Sequence, residues 1–99
     1  MGYDLDMEFE WDESKAFGNL KKHGVSFSEA KTVFNNPLAV IFDDPLHSVD
    51  EQREIIIGHS QTNRLLLVSF TESSNAIRII SARPATRRER QDYEQNAFQ

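Results

Sequence analysis

The 99-residue chain contains no cysteine, which excludes disulfides, thiolate zinc sites and cysteine nucleophiles. Its four glycines are scattered, and there is no Gly-rich phosphate loop or Gly-x-Ser-x-Gly elbow. Hydride transfer and nucleotide-driven chemistry therefore lack their usual platforms. The three histidines, His23, His47 and His59, lack ligand spacing, so neither a metal site nor a cofactor is expected. The longest apolar run is five residues, Leu38–Phe42, against the roughly 20 needed for a helical membrane span. The N-terminus is acidic and has no apolar signal-peptide stretch. An intracellular, cytoplasmic chain without a membrane partner is the expectation.

What is present is enough for one small domain. At 38% hydrophobic residues the chain can bury a single core but not two. One domain over residues 1–99 is expected, with residues 1–6 as an acidic extension. The net charge of −5 argues at face value against a nucleic-acid partner. Its distribution argues otherwise. Six of the 16 acids lie in residues 1–13, from Asp4 and Asp6 to Asp12 and Glu13. The remainder holds 10 acids against 11 bases, and Arg78, Arg83, Arg87, Arg88 and Arg90 face only Glu89 within residues 78–90. An anionic partner senses such a local basic patch, because salt screens distant charges. The plainer reading of Arg87, Arg88 and Arg90 is a solvated helix face.

The hydrophobic pattern predicts an α+β order. Met7–Trp11 alternates apolar and acidic residues, as a half-buried strand does. Asp12 suits the N-cap of a helix whose apolar stripe is Ala16, Phe17 and Leu20. Lys21, Lys22 and His23 fall in its last turn, and Gly24 follows as the C′ residue. Ser26 and Glu29 have capping-box spacing for a second helix, which ends at Asn35-Asn36-Pro37. Strands are then expected at Leu38–Asp43, Arg53–Ile57 (ended by Gly58), Leu65–Phe70 and Ile77–Arg83. Short connections make these an antiparallel meander. Thr86 and Glu89 form a further capping box for a C-terminal helix carrying Arg90, Tyr93 and Ala97 on one stripe. The predicted fold is an antiparallel sheet, a short N-terminal strand plus a four-stranded meander, packed on one face by two N-terminal helices and a C-terminal helix.

Phosphodiester cleavage without a metal fits the remaining chemistry. RNA supplies its own nucleophile, so the protein needs a base, cations for the phosphorane and an acid for the leaving oxygen. Arg78 and Arg83 flank the final strand, and a guanidinium matches phosphate geometry. Glu72 lies in the turn before that strand. His23 carries the side-chain type that titrates near neutrality and lies beside Lys22. Tyr93 follows on the last helix. Each has a structural alternative: Arg78 as a cross-strand ion-pair partner, His23 as a helix cap, Glu72 as a turn acid, His47 as an organiser of its own loop. Trp11 reads as core. Regular alternation puts Arg78 and Arg83 on opposite faces, so a shared site requires a bulge or the strand end.

These residues resemble a known family. Trp11-Asp12, Lys15, Asn19 and Lys22-His23-Gly24-Val25-Ser26-Phe27-x-Glu29-Ala30 are similar to the opening of the BrnT toxins. Asp44-Pro45-x-His47-Ser48, Arg53, Ile57-Gly58, Ser60, Arg64-Leu65-Leu66 and Thr71-Glu72 continue the resemblance. Ile77-Arg78-Ile79-Ile80-Ser81-Ala82-Arg83-x-Ala85-Thr86 and Glu89-Arg90-x-x-Tyr93-Glu94 close it. The resemblance implies a RelE-like fold and a metal-independent endoribonuclease that blocks translation. It also implies a ribbon-helix-helix antitoxin of the BrnA type, operator DNA bound only through that antitoxin, and a toxin homodimer within the complex. The implied catalytic residues are Arg78, Arg83, Glu72 and His23, with Lys22 and Arg64 as RNA contacts. Relatives commonly follow the Thr-Glu pair with a basic residue and a glycine, whereas Ser73-Ser74-Asn75 stands here, one cation fewer. A non-catalytic module that holds an antitoxin-like DNA-binding protein is the competing reading.

Overall fold

The computed structural model describes residues 7–44, 46 and 52–97. Asp4, Asp6 and His47, with most of the loop expected around His47, lie outside the described residues. The elements run β1 (Glu8–Glu10), α1 (Glu13–His23), α2 (Phe27–Thr32) with a 3-10 turn at Val33–Asn35, β2 (Val40–Asp43), β3 (Glu54–His59), β4 (Leu65–Ser73), β5 (Ala76–Pro84) and α3 (Arg87–Ala97). The fold is α+β, as the pattern predicts. Capping chemistry sets the helix starts: Asp12 Oδ1 accepts from Lys15 N at 3.0 Å, and Ser26 Oγ from Glu29 N at 3.0 Å. Gly24 ends α1 at φ 69°, a left-handed conformation that costs glycine little.

The five strands form one sheet in the order β1-β5-β4-β3-β2. β2 to β5 are the expected antiparallel meander. β1 instead pairs parallel with β5, Glu8 opposite Ala76 and Glu10 opposite Arg78, so the sheet is mixed. Alternation in a short strand fixes which side chains face inward, not the direction of its neighbour.

Two features differ from the sequence expectation in ways that shape the site. First, the helices do not share one face. Val25, Phe27, Ala30, Val33 and Phe34 bury one side of the sheet against Ile56, Leu66, Val68, Phe70, Ile77 and Ile79. α3 lies on the opposite side, where Tyr93 packs with Ile57, Leu65 and Leu67 and its hydroxyl donates to the Leu38 carbonyl at 2.9 Å. Second, the buried residue of α1 is Asn19, while Phe17 and Leu20 stay 65% and 48% exposed. Beyond Arg78, no strand among the described residues lies on the outer edge of β5. Asn19 fills that place: Oδ1 accepts from Ala82 N at 3.1 Å, and Nδ2 donates to Ala82 O at 2.8 Å and Val25 O at 2.9 Å. A carboxamide presents the same donor and acceptor as a backbone peptide, so it satisfies edge groups that an apolar side chain would orphan.

Gly58 continues β3 rather than ending it. A Cβ there would lie 2.8 Å from the Ala39 Cβ and 3.1 Å from Asn36 Oδ1, so glycine permits the close approach of the segment leading into β2.

Asn19→Ala leaves three backbone groups unpaired and should cost about 2–4 kcal/mol in denaturant unfolding. Gly58→Ala should cost about 1–3 kcal/mol by overpacking against Ala39.

Candidate active site

The site rests on a one-residue irregularity. Pairing between β4 and β5 steps from Ser69 opposite Ser81 to Phe70 opposite Ile79. Ile80 is therefore an extra residue in β5, a β-bulge. Arg78 pairs with Thr71 and Arg83 with Leu67. Thr71 and Leu67 are four residues apart on a regular strand and share a face. The bulge thus brings Arg78 and Arg83 to the same side of the sheet, the side α3 partly covers.

His23 joins Arg83 there. It is the last residue of α1, the helix Asn19 fixes to the β5 edge, and it lines a pocket of about 80 Å³ with Ile55, Leu67, Ser69, Ser81, Ala82 and Arg83. Lys22 is exposed on the same last turn. Four paired positions, from Thr71 to Leu67, at roughly 3.3 Å each put the Arg78 and Arg83 Cα atoms about 13 Å apart, a separation that suits contacts to different phosphates of one strand.

Arg83 has a partner that sequence reading treated only as a cap. Its Nη1 and Nη2 donate to Glu89 Oε1 and Oε2, both at 2.8 Å, and Nη1 also reaches the Pro84 carbonyl at 3.3 Å. Glu89 completes the expected capping box as well, accepting from Thr86 N at 2.8 Å while Thr86 Oγ1 accepts from Glu89 N at 3.1 Å. The Arg83 guanidinium, with the Thr86 backbone bond, holds the Glu89 carboxyl down at about 2 against the opposing effect of burial. An acid six residues after Arg83, in the first turn of the next helix, is the signal that would have revealed this pair.

Two expected site residues lie elsewhere. Glu72 pairs with Ile77, whose side chain is buried on the α2 side. Glu72 therefore sits on the opposite side of the sheet from Arg78 and Arg83. Its charge is felt there by Glu54, whose carboxyl is pushed up first by burial and then by Glu72 and Asp43. Arg64 belongs to a clamp. Its Nε and Nη2 both bond the Glu29 carboxylate, and Nη2 also donates to the Gly24 carbonyl at 3.0 Å. Ser60 Oγ and Thr62 Oγ1 donate to Glu29 Oε2, each at 2.7 Å. The carboxylate expected to reach back to Ser26 instead ties α2 and the end of α1 to the β3–β4 turn.

Among the described residues no three His, Asp or Glu side chains converge to hold a metal ion. Tyr93 and His59 pack edge to face at 5.8 Å, under α3. A cavity of about 230 Å³, mainly apolar, separates α3 from β2 and is lined by Val40, Phe42, Ile57, Leu67 and Tyr93 with Glu89, Asp92 and Asn96. It is larger than the His23 pocket, but its lining offers acids and no cation.

Residues 11–89 match the family described as "Ribonuclease toxin, BrnT, of type II toxin-antitoxin system". The chain belongs to the BrnT family. Its fold is similar to the crystal structure of the Brucella abortus ribonuclease toxin BrnT, with a TM-score of 0.65 and 27% identity over 82% of this chain and 99% of that one. No curated protein matches the sequence significantly. Membership in a type II toxin–antitoxin family makes an antitoxin the implied partner of this BrnT chain. No helix among the described residues is long and apolar enough to cross a membrane.

The Glu29 clamp has a pH signature. Its carboxyl is lowered from 4.5 to about 2, chiefly by the Arg64 hydrogen bond and further by Ser60 and Thr62. A lowered folded-state value gives stability that is present above the unfolded value and lost as pH falls toward 2. Stability should therefore drop between about pH 5 and pH 2. Glu29→Gln should flatten that slope, lowering neutral-pH stability by roughly 2–3 kcal/mol in denaturant titrations.

Proposed function

We propose that this BrnT chain is a metal-independent endoribonuclease whose site is the pocket between the end of α1 and the bulged strand β5. The observation that carries the reading is the placement of His23 and Arg83 around one small pocket, with Arg78 on the same face. The 2′-hydroxyl of the substrate attacks the adjacent phosphorus, the P–O5′ bond breaks, and a 2′,3′-cyclic phosphate and a 5′-hydroxyl result. Arg83 holds the reacting phosphate and its developing charge. Arg78 and Lys22 hold neighbouring phosphates. His23 is the side chain placed to exchange protons with the 2′-hydroxyl or the leaving oxygen. Glu72, on the far side of the sheet, has no part in this step. Arg64, whose guanidinium is committed to Glu29, supports the fold under α1 rather than the RNA.

The partner side of the proposal is a ribbon-helix-helix antitoxin of the BrnA type, with operator DNA bound through it and the toxin paired within the complex. Cleavage of cellular RNA by the free toxin in the cytoplasm inhibits translation. Val40, Ile41 and Phe42 of the edge strand β2 are 39–46% exposed. With the apolar cavity beside α3, they supply the desolvatable surface that a tight protein partner needs. The rival reading, a non-catalytic partner-binding module, draws on the Ser73-Ser74-Asn75 turn, which carries one cation fewer than relatives commonly have there.

The purified chain, freed of antitoxin, should cut total RNA in EDTA at low salt. His23→Ala and Arg83→Ala should each lower the rate by about two to three decades, and Glu72→Ala should leave it near the parent value. Intact RNA, together with unimpaired growth on expression, would replace this reading with the binding module. Phe42→Asp should abolish copurification with the antitoxin while preserving cleavage.

A further inference from the structure

Arginine offers two bidentate edges, the outer Nη1/Nη2 fork and the side edge of Nε–H with the second Nη2 proton. Arg64 spends its side edge on Glu29. Arg83 does the reverse: Glu89 takes the outer fork, and the side edge has no partner among the described residues. Glu89 is itself fixed at the start of α3 by the Thr86 backbone N–H. The guanidinium is thus clamped by an element that is not part of β5, and Arg83 lines the His23–Ser69–Ser81 pocket.

We infer that Glu89 is a positioning residue for the reaction: it orients the Nε edge of Arg83 toward the scissile phosphate. The inference rests on the ribonuclease reading above. It has two consequences of opposite sign. A carboxylate behind the guanidinium partly cancels the attraction for an approaching phosphate, so it weakens ground-state binding. By fixing the donor edge it also removes reorganisation from the transition state, where misplacement is most costly. A residue that merely holds the fold together does not split KM and kcat in this way.

The test compares Glu89→Gln with Thr86→Ala, both in the full chain and both checked for cooperative unfolding. Glu89→Gln keeps a side chain of the same size but loses the charge and one acceptor facing the fork. Thr86→Ala removes the other half of the capping box and leaves the Arg83–Glu89 pair in place. On a short RNA cut by the parent chain, Glu89→Gln should lower kcat by about tenfold to a hundredfold with KM unchanged or reduced, while Thr86→Ala retains the parent kcat. Because the Glu89 carboxyl lies near 2, the ratio of parent to Glu89→Gln rates should be constant from pH 5 to pH 8. Equal losses in the two variants would make Glu89 a helix cap only and overturn the inference. A faster Glu89→Gln enzyme would make the pair an inhibitory contact and overturn it as well. A pH-dependent ratio would make Glu89 a proton donor or acceptor instead. If the parent cuts RNA and Arg83→Ala does not, a normal Glu89→Gln sinks only the positioning role. If the parent does not cut, the ribonuclease reading fails and takes this inference with it.

Discussion

Two hydrogen bonds between the Asn19 carboxamide and Ala82 join α1 to the sheet, and the position of His23 depends on them. β5 needs a partner on its outer edge beyond the short parallel strand β1, and Asn19 supplies one to Ala82 while also holding the Val25 carbonyl. Ala82 lies just past the bulge, so the same contact anchors the irregular stretch of β5 that turns Arg78 and Arg83 to one face. A hydrophobic residue at position 19 could bury as much surface, but it would leave the Ala82 groups without partners. Polar specificity rather than apolar area determines where this helix sits.

Local chemistry was the legible part of the fold. The caps at Asp12, Ser26 and Thr86, the left-handed Gly24 and the four-stranded meander follow from residues close in sequence. What the pattern does not encode is the pairing of distant segments. Nothing in Glu8-Phe9-Glu10 marks it as parallel to β5. Ile77–Arg83 carries no glycine to advertise a bulge, although placing both arginines in one site requires a bulge or the strand end. α1 misleads because Phe17 and Leu20 look like its inner stripe while a polar residue between them makes the long-range contact. Apolar periodicity finds a buried face only where burial is apolar.

The site was half legible for the same reason. His23 and Arg83 stand out by residue type and do come together, but the spacing of Glu29 and Glu89 points only to local capping. Glu29 has capping-box spacing, yet its oxygens go to Arg64, Ser60 and Thr62. Glu89 does cap, and it also grips Arg83. A carboxylate has about four acceptor positions, and a spacing rule accounts for one of them. The net charge misled similarly. Glu10 is the register neighbour of Arg78, so part of the acidity at the start of the chain lies in the same sheet as the arginines of β5.

The wide spacing of the pocket residues bears on when the site comes into being. Its walls come from α1, β3, β4 and β5, and the brace behind Arg83 from α3, so His23 and Glu89 stand at nearly opposite ends of the chain. Contacts of such separation close late, because each must first overcome the entropy of a long loop. A chain emerging from the ribosome carries His23 early and has nothing for it to face until β5 and the first turn of α3 are free to fold. The pocket is therefore incomplete for most of each round of synthesis.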